Sequence, residues 1–231
     1  MIRSTPPRML RALLLTFGLF AGALRAEIAP LPELKPTQDE AAAAHLTAEV
    51  LSRFHYQPPP FNEALSEKIF NEYLKALDPD KTIFLASDVA SLASHRRTLG
   101  DSLLKEDLRG PFAIFNLYRQ RLNERYAHAR RLLGTRFDFS ADESYPLGRT
   151  REATWPASDA EMQDLWRKRV KNDWLRLRLA GEDEKRIAQV LDRRYDNAVK
   201  RVARIKESDA FQVFMNAYTM AIDPHTNYMG P

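Results

Sequence analysis

Apolar side chains recur at helical spacing along most of the chain, and this periodicity constrains the fold more than any other feature. The clearest case follows Gly110-Pro111, where one face is lined by Ile114, Phe115, Tyr118, Leu122, Tyr126, Ala129 and Leu133. Residues three and four apart share a helix face, so such stripes are buried against other helices. A similar stripe behind Thr37 consists of Ala43, Leu46, Val50, Leu51 and Phe54. Gly is scarce, at 8 of 231 residues. The sequence therefore predicts an all-α fold of about seven helices with proline-marked connections.

Capping residues indicate where these helices begin, at Thr37, Asn62, Ser87, Ser158 and Ser208. Two of them, Thr37 and Ser158, are followed three residues later by Glu, which is the spacing of a capping box. Gly100 is predicted to follow the end of the helix that starts at Ser87. Residues 135–156 have no sustained period, and their aromatic side chains predict a segment that packs along the surface.

The helix after Gly110 carries many arginines away from its apolar stripe. They are Arg119, Arg121, Arg125, Arg130 and Arg131. We interpret them as a solvated face whose aliphatic stems lie over apolar surface. The alternative is a binding face for an acidic partner.

The first 26 residues have the pattern of a secretory signal peptide. Arg3, Arg8 and Arg11 precede an apolar run at 12–24, and small residues allow cleavage after Ala23 or Ala26. The run is shorter than the ~20 apolar residues of a membrane span. We therefore expect export, with membrane contact only through this segment if it is uncleaved.

Three further divisions of the chain are predicted after the signal segment. Residues 27–36 are rich in proline and are predicted to be an extended leader. Residues 37–222 form the predicted helical domain, and residues 223–231 form an exit turn.

Removal of the signal segment changes the charge of the chain. The formal net charge is +4, from 35 Lys and Arg against 31 Asp and Glu. The first 26 residues contain four Arg and no acid, so a chain beginning at Glu27 carries 31 residues of each sign. Nucleic acid is therefore not an expected partner. The chain has no Cys, which excludes disulfides, a thiolate nucleophile and Cys-ligated zinc.

A turn motif, Asp223-Pro224-His225-Thr226, ends the last predicted helix. Pro224 disfavours the helical conformation at Asp223, and the Asp223 carboxylate can accept a hydrogen bond from an amide shortly after it. A metal or acid–base site at His225 is the alternative, but the motif lacks the several ligands that a metal needs. We interpret these four residues as a rigid interdomain turn. Phe211, Phe214 and Tyr218 are predicted to lie near the seam with the next domain.

Several stretches, taken in order, resemble the start of the periplasmic tail-specific proteases, the carboxy-terminal processing protease family. They are residues 70–79, residues 84–89, Ala153-Thr154-Trp155-Pro156, Leu165-Trp166 with Val170-Lys171, Arg193-Arg194-Tyr195, and residues 222–228. The resemblance extends over essentially the whole chain from about Thr37 onward.

The resemblance implies the N-terminal helical domain of a periplasmic serine protease. In that family a PDZ-like domain that binds substrate C-termini comes next, and then a core whose Ser nucleophile is activated by a Lys. No Ser or Lys of this chain matches a catalytic position, so no catalytic, cofactor-binding or metal-binding residue is predicted. The 231 residues are expected to lack the PDZ-like domain and the Ser–Lys core.

The resemblance also implies partners and a role. The expected partners are the PDZ-like and protease domains, in cis or as a split partner, together with a periplasmic adaptor and protein substrates. The expected role is the docking of substrates or adaptors for proteolysis at C-termini. The alternative is a free-standing periplasmic helical interaction module without protease activity.

Overall fold

Helices are the only regular secondary structure in the residues that the computed structural model describes, 30–58, 60–146 and 153–230. In that part of the chain there are eight α-helices: α1 Gln38–Phe54, α2 Glu63–Leu77, α3 Ala86–Ser91, α4 Leu99–Leu104, α5 Arg109–Leu132, α6 Asp159–Leu179, α7 Glu184–Ala203 and α8 Glu207–Ile222. A 3-10 turn, Ala93–His95, separates α3 from α4. The all-α prediction is confirmed.

The long helix α5 passes through two apolar cores. It has 24 residues, a length of about 36 Å. Its first half packs in a core with α1, α2, α4 and α8, in which α2 lies against α8. Its second half packs in a core with α6 and α7, around the buried side chains of Met162 and Trp166. The two halves of the fold are therefore joined by one continuous helix.

The predicted capping boxes are formed fully at one helix and half-formed at another. At α1 the amide of Glu40 donates to the Thr37 hydroxyl at 3.2 Å, and the Thr37 amide donates to the Glu40 carboxylate at 2.8 Å. At α6 the amide of Glu161 donates to the Ser158 hydroxyl at 3.2 Å. The Glu161 carboxylate accepts from the amide of Ala157 instead of Ser158.

Three predicted helix boundaries are wrong. Ser87 does not cap a helix but lies inside α3, which is capped at Leu85 by the Asp88 carboxylate. Gly100 does not follow a helix end but lies inside α4, where a Cβ would be 2.9 Å from the Ser66 hydroxyl oxygen. The lack of a side chain lets the Gly100 amide donate to that oxygen at 3.0 Å. The last helix begins before Ser208, because the Asp209 carboxylate accepts from the amide of Lys206 at 2.8 Å and caps the helix there.

The arginine-rich face of α5 is not the solvated face that the sequence predicted. Arg119 and Arg125 are only 2% and 6% exposed. Arg119 donates to the carbonyl of Pro32 at 3.0 Å, and Arg125 donates to the carbonyl of Ile83 at 3.3 Å. Burial in turn lowers the pKa of both guanidinium groups. Each of these guanidinium groups thus supplies a donor to a backbone carbonyl of a non-helical segment.

Two other arginines of this face pair with carboxylates of neighbouring helices. Arg121 donates two hydrogen bonds to Asp88, at 3.0 and 2.7 Å. Arg130 binds Asp192 at 2.9 Å and Asp196 at 2.8 Å. The helix α5 is thereby tied to α3 and α7 by polar contacts as well as by apolar packing.

The extended segment before α1 lies along α5. Asn116 accepts a hydrogen bond from the Leu34 amide at 3.0 Å and donates one to the Leu34 carbonyl at 2.9 Å. The predicted signal peptide, residues 1–26, lies outside the described residues. None of the helices in the described ranges has the length and hydropathy needed to cross a membrane.

The segment after α5 packs on α6, as its aromatic residues predicted. The ring centroid of Phe137 lies 5.9 Å from that of Trp174, and Phe139 packs beside it. The Glu143 carboxylate accepts hydrogen bonds from Arg167 of α6. The segment thus covers the second core.

Candidate functional site

At the predicted turn motif, the chain leaves α8 in a turn that is held by hydrogen bonds to the backbone and the carboxylate of Asp223. The Asp223 amide donates to the carbonyl of Thr219 at 3.0 Å, and the Asp223 backbone is extended. The Thr226 amide donates back to the Asp223 carbonyl at 3.0 Å, and the His225 amide donates to the Asp223 carboxylate at 2.9 Å. Pro224 suits the second position of such a turn. The role of this turn between domains stays a prediction.

The Asp223 carboxylate also connects the end of α8 with the end of α1. The Tyr56 hydroxyl donates to Oδ2 at 3.1 Å, and Nε2 of His55 lies 3.9 Å from the same oxygen. Nδ1 of His225 is 3.1 Å from Oδ1. The backbone amide of His225 holds the pKa of Asp223 below its usual range, although desolvation acts in the opposite direction. The carboxylate therefore stays ionised and can accept all these contacts at neutral pH.

This arrangement links two segments of the chain, and we call it the candidate joint. Each polar neighbour of the Asp223 carboxylate belongs either to the turn itself or to the two residues after α1. The His225 side chain is 89% exposed and contacts only the turn. Among the described residues, no group of three His, Asp or Glu side chains is arranged to hold a metal ion.

The three aromatic residues predicted near a domain seam are buried in the core. Phe211, Phe214 and Tyr218 are 6%, 0% and 0% exposed. The ring of Phe214 meets Tyr73 at 5.6 Å, and that of Phe211 meets Tyr228 at 5.6 Å. In this conformation these rings present almost no surface to a second domain, because α2 and the segment after the turn cover them.

Exposed apolar side chains instead lie on α1, next to the turn. Leu46, Val50 and Phe54 are 60%, 45% and 79% exposed and share one face of the helix. We call these three residues the α1 strip. Sequence reasoning placed them in a buried stripe, but the buried face of α1 is made of Ala41, Ala44 and Ala48. Small side chains let α1 approach α4 closely, which turns the larger side chains outward.

A second polar cluster surrounds Asp78, the residue that directly follows α2. Its carboxylate is 2% exposed and accepts three backbone hydrogen bonds, from Thr82 at 2.8 Å and from Ile83 and Phe84 at 3.1 Å each. The indole of Trp155 donates to it at 3.1 Å. Asp78 thus shapes the loop between α2 and α3 and fixes it to the segment before α6.

The same loop is held by two further contacts from distant segments. The indole of Trp166 donates to the Thr82 carbonyl at 2.8 Å, and the Ala86 amide donates to the Pro156 carbonyl at 2.9 Å. Four of the stretches on which the family resemblance rests, residues 70–79, 84–89 and 153–156 and the pair Leu165-Trp166, therefore meet at one place. The sequence contains the motifs Leu-Asp-Pro and Thr-Trp-Pro, but it does not reveal that they contact each other.

Comparison with known proteins agrees with these shared stretches. The model of the family described as "Tail specific protease N-terminal domain" matches residues 47–231. The "Tail-specific protease" of Haemophilus influenzae is 32% identical over 209 residues, which cover 87% of this chain and 30% of that protein. The chain thus spans about 30% of the length of this curated relative. With a match over most of its length, the chain belongs to the tail-specific protease N-terminal domain family.

Proposed function

We propose that this chain is the non-catalytic helical domain of a periplasmic tail-specific serine protease. We further propose that it docks substrates or adaptors for proteolysis at protein C-termini. Family membership supports the first statement, since the curated relative is a protease of which the matched region is 30%. The residues that hydrolyse the peptide bond are then supplied outside the region described by this family model.

The α1 strip is the observation that supports a docking role. Its three apolar side chains lie on one face of a helix, and Phe54 is 79% exposed. Contiguous exposed apolar surface is typical of protein–protein contact sites. Burial of such surface contributes roughly 25 cal/mol per Å². A partner protein that covered the strip would gain this free energy.

The α1 strip lies close to the turn at which the chain leaves α8, and the rest of a protease would be attached after that turn. Tyr56 follows Phe54 by two residues and binds Asp223 at the turn out of α8. A partner seated on the strip therefore lies beside the point where the chain leaves the helices. Docking there would bring a substrate or adaptor close to the part of a protease that is attached after the turn.

A chimaera provides the test, in which this chain replaces the matched region of the Haemophilus influenzae protease. Leu46, Val50 and Phe54 are changed together to Ser. We expect kcat/KM for an unstructured protein substrate to fall by about tenfold or more, with little change for a short peptide that is too small to dock.

The matched control changes Leu175 and Leu179, which are 36% and 77% exposed on α6, to Ser. This control removes exposed apolar surface away from the turn and should leave both rates unchanged. Equal turnover of the protein substrate by the strip variant and the parent would contradict the docking role. A stable complex of the isolated chain with a partner protein, formed without a protease domain, would favour the free-standing interaction module.

A further inference from the structure

Positive charge is concentrated in the two helices α6 and α7. Residues 159–206 contain 14 Lys and Arg against nine Asp and Glu, although residues 27–231 contain 31 of each sign. The remainder of that part of the chain therefore has an excess of acid. A charge separation of this kind creates a positive potential over one region of the surface.

The outward face of α7 carries much of this charge. We call it the α7 crest, and it consists of six exposed side chains: Arg186, Gln189, Arg193, Asn197, Lys200 and Arg204. They lie opposite the buried side chains of Leu191 and Tyr195. The crest extends over about 27 Å and contains no carboxylate. Lys200 pairs with Asp196 at 2.7 Å, whereas the three arginines form no ion pair within the described part of the chain.

A pocket of about 330 Å³ lies between α6 and α7, where its lining residue from α7, Arg194, follows Arg193 of the crest. It is lined by Asp173, Arg176, Leu177 and Arg194. The Asp173 carboxylate is already engaged, since it accepts from the Tyr195 hydroxyl at 2.7 Å and lies 3.7 Å from Arg194. Arg176 forms no ion pair with a described residue. The pocket thus combines two guanidinium groups with one apolar side chain, Leu177.

We propose that the α7 crest and this pocket dock an acidic α-helix of a protein partner. The inference rests on the proposed docking function and names the chemistry of one partner. Arg186, Arg193 and Lys200 recur every seven residues. Equivalent contact positions along two α-helices packed side by side repeat at the same interval. A partner helix with Glu or Asp at the same interval places a carboxylate opposite each cation. The guanidinium group of an arginine can bind a carboxylate with two parallel hydrogen bonds.

The crest fits a protein helix better than a membrane surface. A helix that lies on a membrane inserts its apolar face into the lipid. The apolar face of α7, with Ile187, Leu191 and Tyr195, is buried in the second core and is not free to insert. The pocket next to the crest offers Leu177 to an apolar side chain of the partner, while the crest binds its carboxylates.

The test uses a synthetic helical peptide of about three heptads with Glu at seven-residue intervals, and the same peptide with Gln in their place. Binding to the full chain is measured by fluorescence anisotropy at low ionic strength. We expect the Gln peptide to bind about tenfold more weakly or worse. The variant Arg186→Glu/Arg193→Glu/Arg204→Glu should lose a similar factor, and added salt should weaken the wild-type interaction.

The matched control is Lys68→Glu/Lys75→Glu/Lys105→Glu, which makes the same change in net charge at exposed positions of α2 and of the residue after α4. It should bind the Glu peptide within about twofold of wild type. Circular dichroism of both variants should match wild type, since every changed side chain is exposed.

Three results would overturn the inference: no difference between the two peptides, equal losses in both variants, or crest-dependent binding to phosphatidylglycerol vesicles without peptide binding. The last result would assign the crest to a membrane. None of these results concerns the α1 strip. Slower turnover of a protein substrate by the chimaera with the changed strip would therefore still support the proposed function.

Discussion

The hydroxyl of Tyr56 donates a hydrogen bond to the carboxylate of Asp223 at 3.1 Å, across 167 positions of sequence. This contact ties the residues after α1 to the turn after α8. Together with the packing of α1 in the first core, it places the α1 strip near the outgoing chain. Changes at Asp223 should be detected both in stability and in the direction of the outgoing chain.

The first prediction concerns the pH dependence of that contact. The pKa of Asp223 is lowered in the folded chain, chiefly by the His225 amide. A lowered folded-state pKa stabilises the fold above the ordinary pKa of an aspartate, ~4, and this contribution disappears as pH falls through the folded value. Asp223→Asn should therefore lower Tm at about pH 7 by about 2–4 °C.

The measurement is a thermal melt of both proteins at several pH values. The difference in Tm between wild type and Asp223→Asn should stay constant from about pH 7 to about pH 5 and shrink below about pH 4. Tyr56→Phe is the control, because it removes one hydrogen bond but keeps the carboxylate. A Tm difference that grew as the pH fell would contradict a lowered folded-state pKa at Asp223.

The second prediction compares two aspartates that are two positions apart. Asp78 is 2% exposed and accepts three amides and an indole, whereas Asp80 is exposed. Asp78→Ala leaves these donors buried without partners, and each such group costs about 1–3 kcal/mol. We expect Asp78→Ala to lower the free energy of unfolding by about 3 kcal/mol or more.

Urea denaturation gives the comparison. Asp80→Ala should change the free energy of unfolding by less than about 0.5 kcal/mol, as surface substitutions do. Trp155→Phe should fall between the two, since it removes only the indole donor. Similar midpoints for the two aspartate variants would contradict the central role of Asp78 in the loop.

Helix periodicity predicted the all-α fold, but it could not decide which face of α1 is buried. Large apolar residues at 46, 50 and 54 were expected inside, and Ala44 and Ala48 are buried instead. Hydrophobicity favours the larger side chains, whereas the short distance to α4 favours the smaller ones. Only the packing partner resolves this competition, and a single helix does not reveal its partner.

Long-range polar contacts were equally inaccessible from the sequence. Arg119 and Arg125 are buried because they reach carbonyls 87 and 42 residues away. Local patterns correctly predicted the cap at Thr37 and the bond from His225 to Asp223, because both partners lie within three residues. The candidate joint was therefore predictable as a turn, while its connection to Tyr56 was not.

The third prediction tests the close approach of α1. Ala48 is fully buried, and Ala48→Leu adds volume to a packed helix contact. Such overpacking costs about 1–3 kcal/mol. Phe54→Ser is the control on the opposite, exposed face, and it should leave the free energy of unfolding within about 0.5 kcal/mol of wild type. A larger loss in Phe54→Ser than in Ala48→Leu would mean that the strip faces the core.

The last prediction separates a mechanical role of the turn from a chemical one. In the chimaera that carries this chain on the Haemophilus influenzae protease, Pro224 fixes its own φ and restricts Asp223, so it sets the direction of the outgoing chain. Asp223 holds that direction through its bonds to His225 and Tyr56. The His225 side chain is 89% exposed, and its backbone amide, which makes the bond of the turn, persists in His225→Ala.

We therefore expect Pro224→Ala and Asp223→Ala to lower turnover of a protein substrate by the chimaera severalfold, while His225→Ala leaves it near wild type. The reason is that a change in the angle between helices and protease core alters the approach of a docked substrate. Tm of each variant must be measured in parallel, so that loss of turnover is not loss of fold. If His225→Ala abolished turnover and both joint variants retained it, the imidazole would have a chemical role and the turn would not act as a joint.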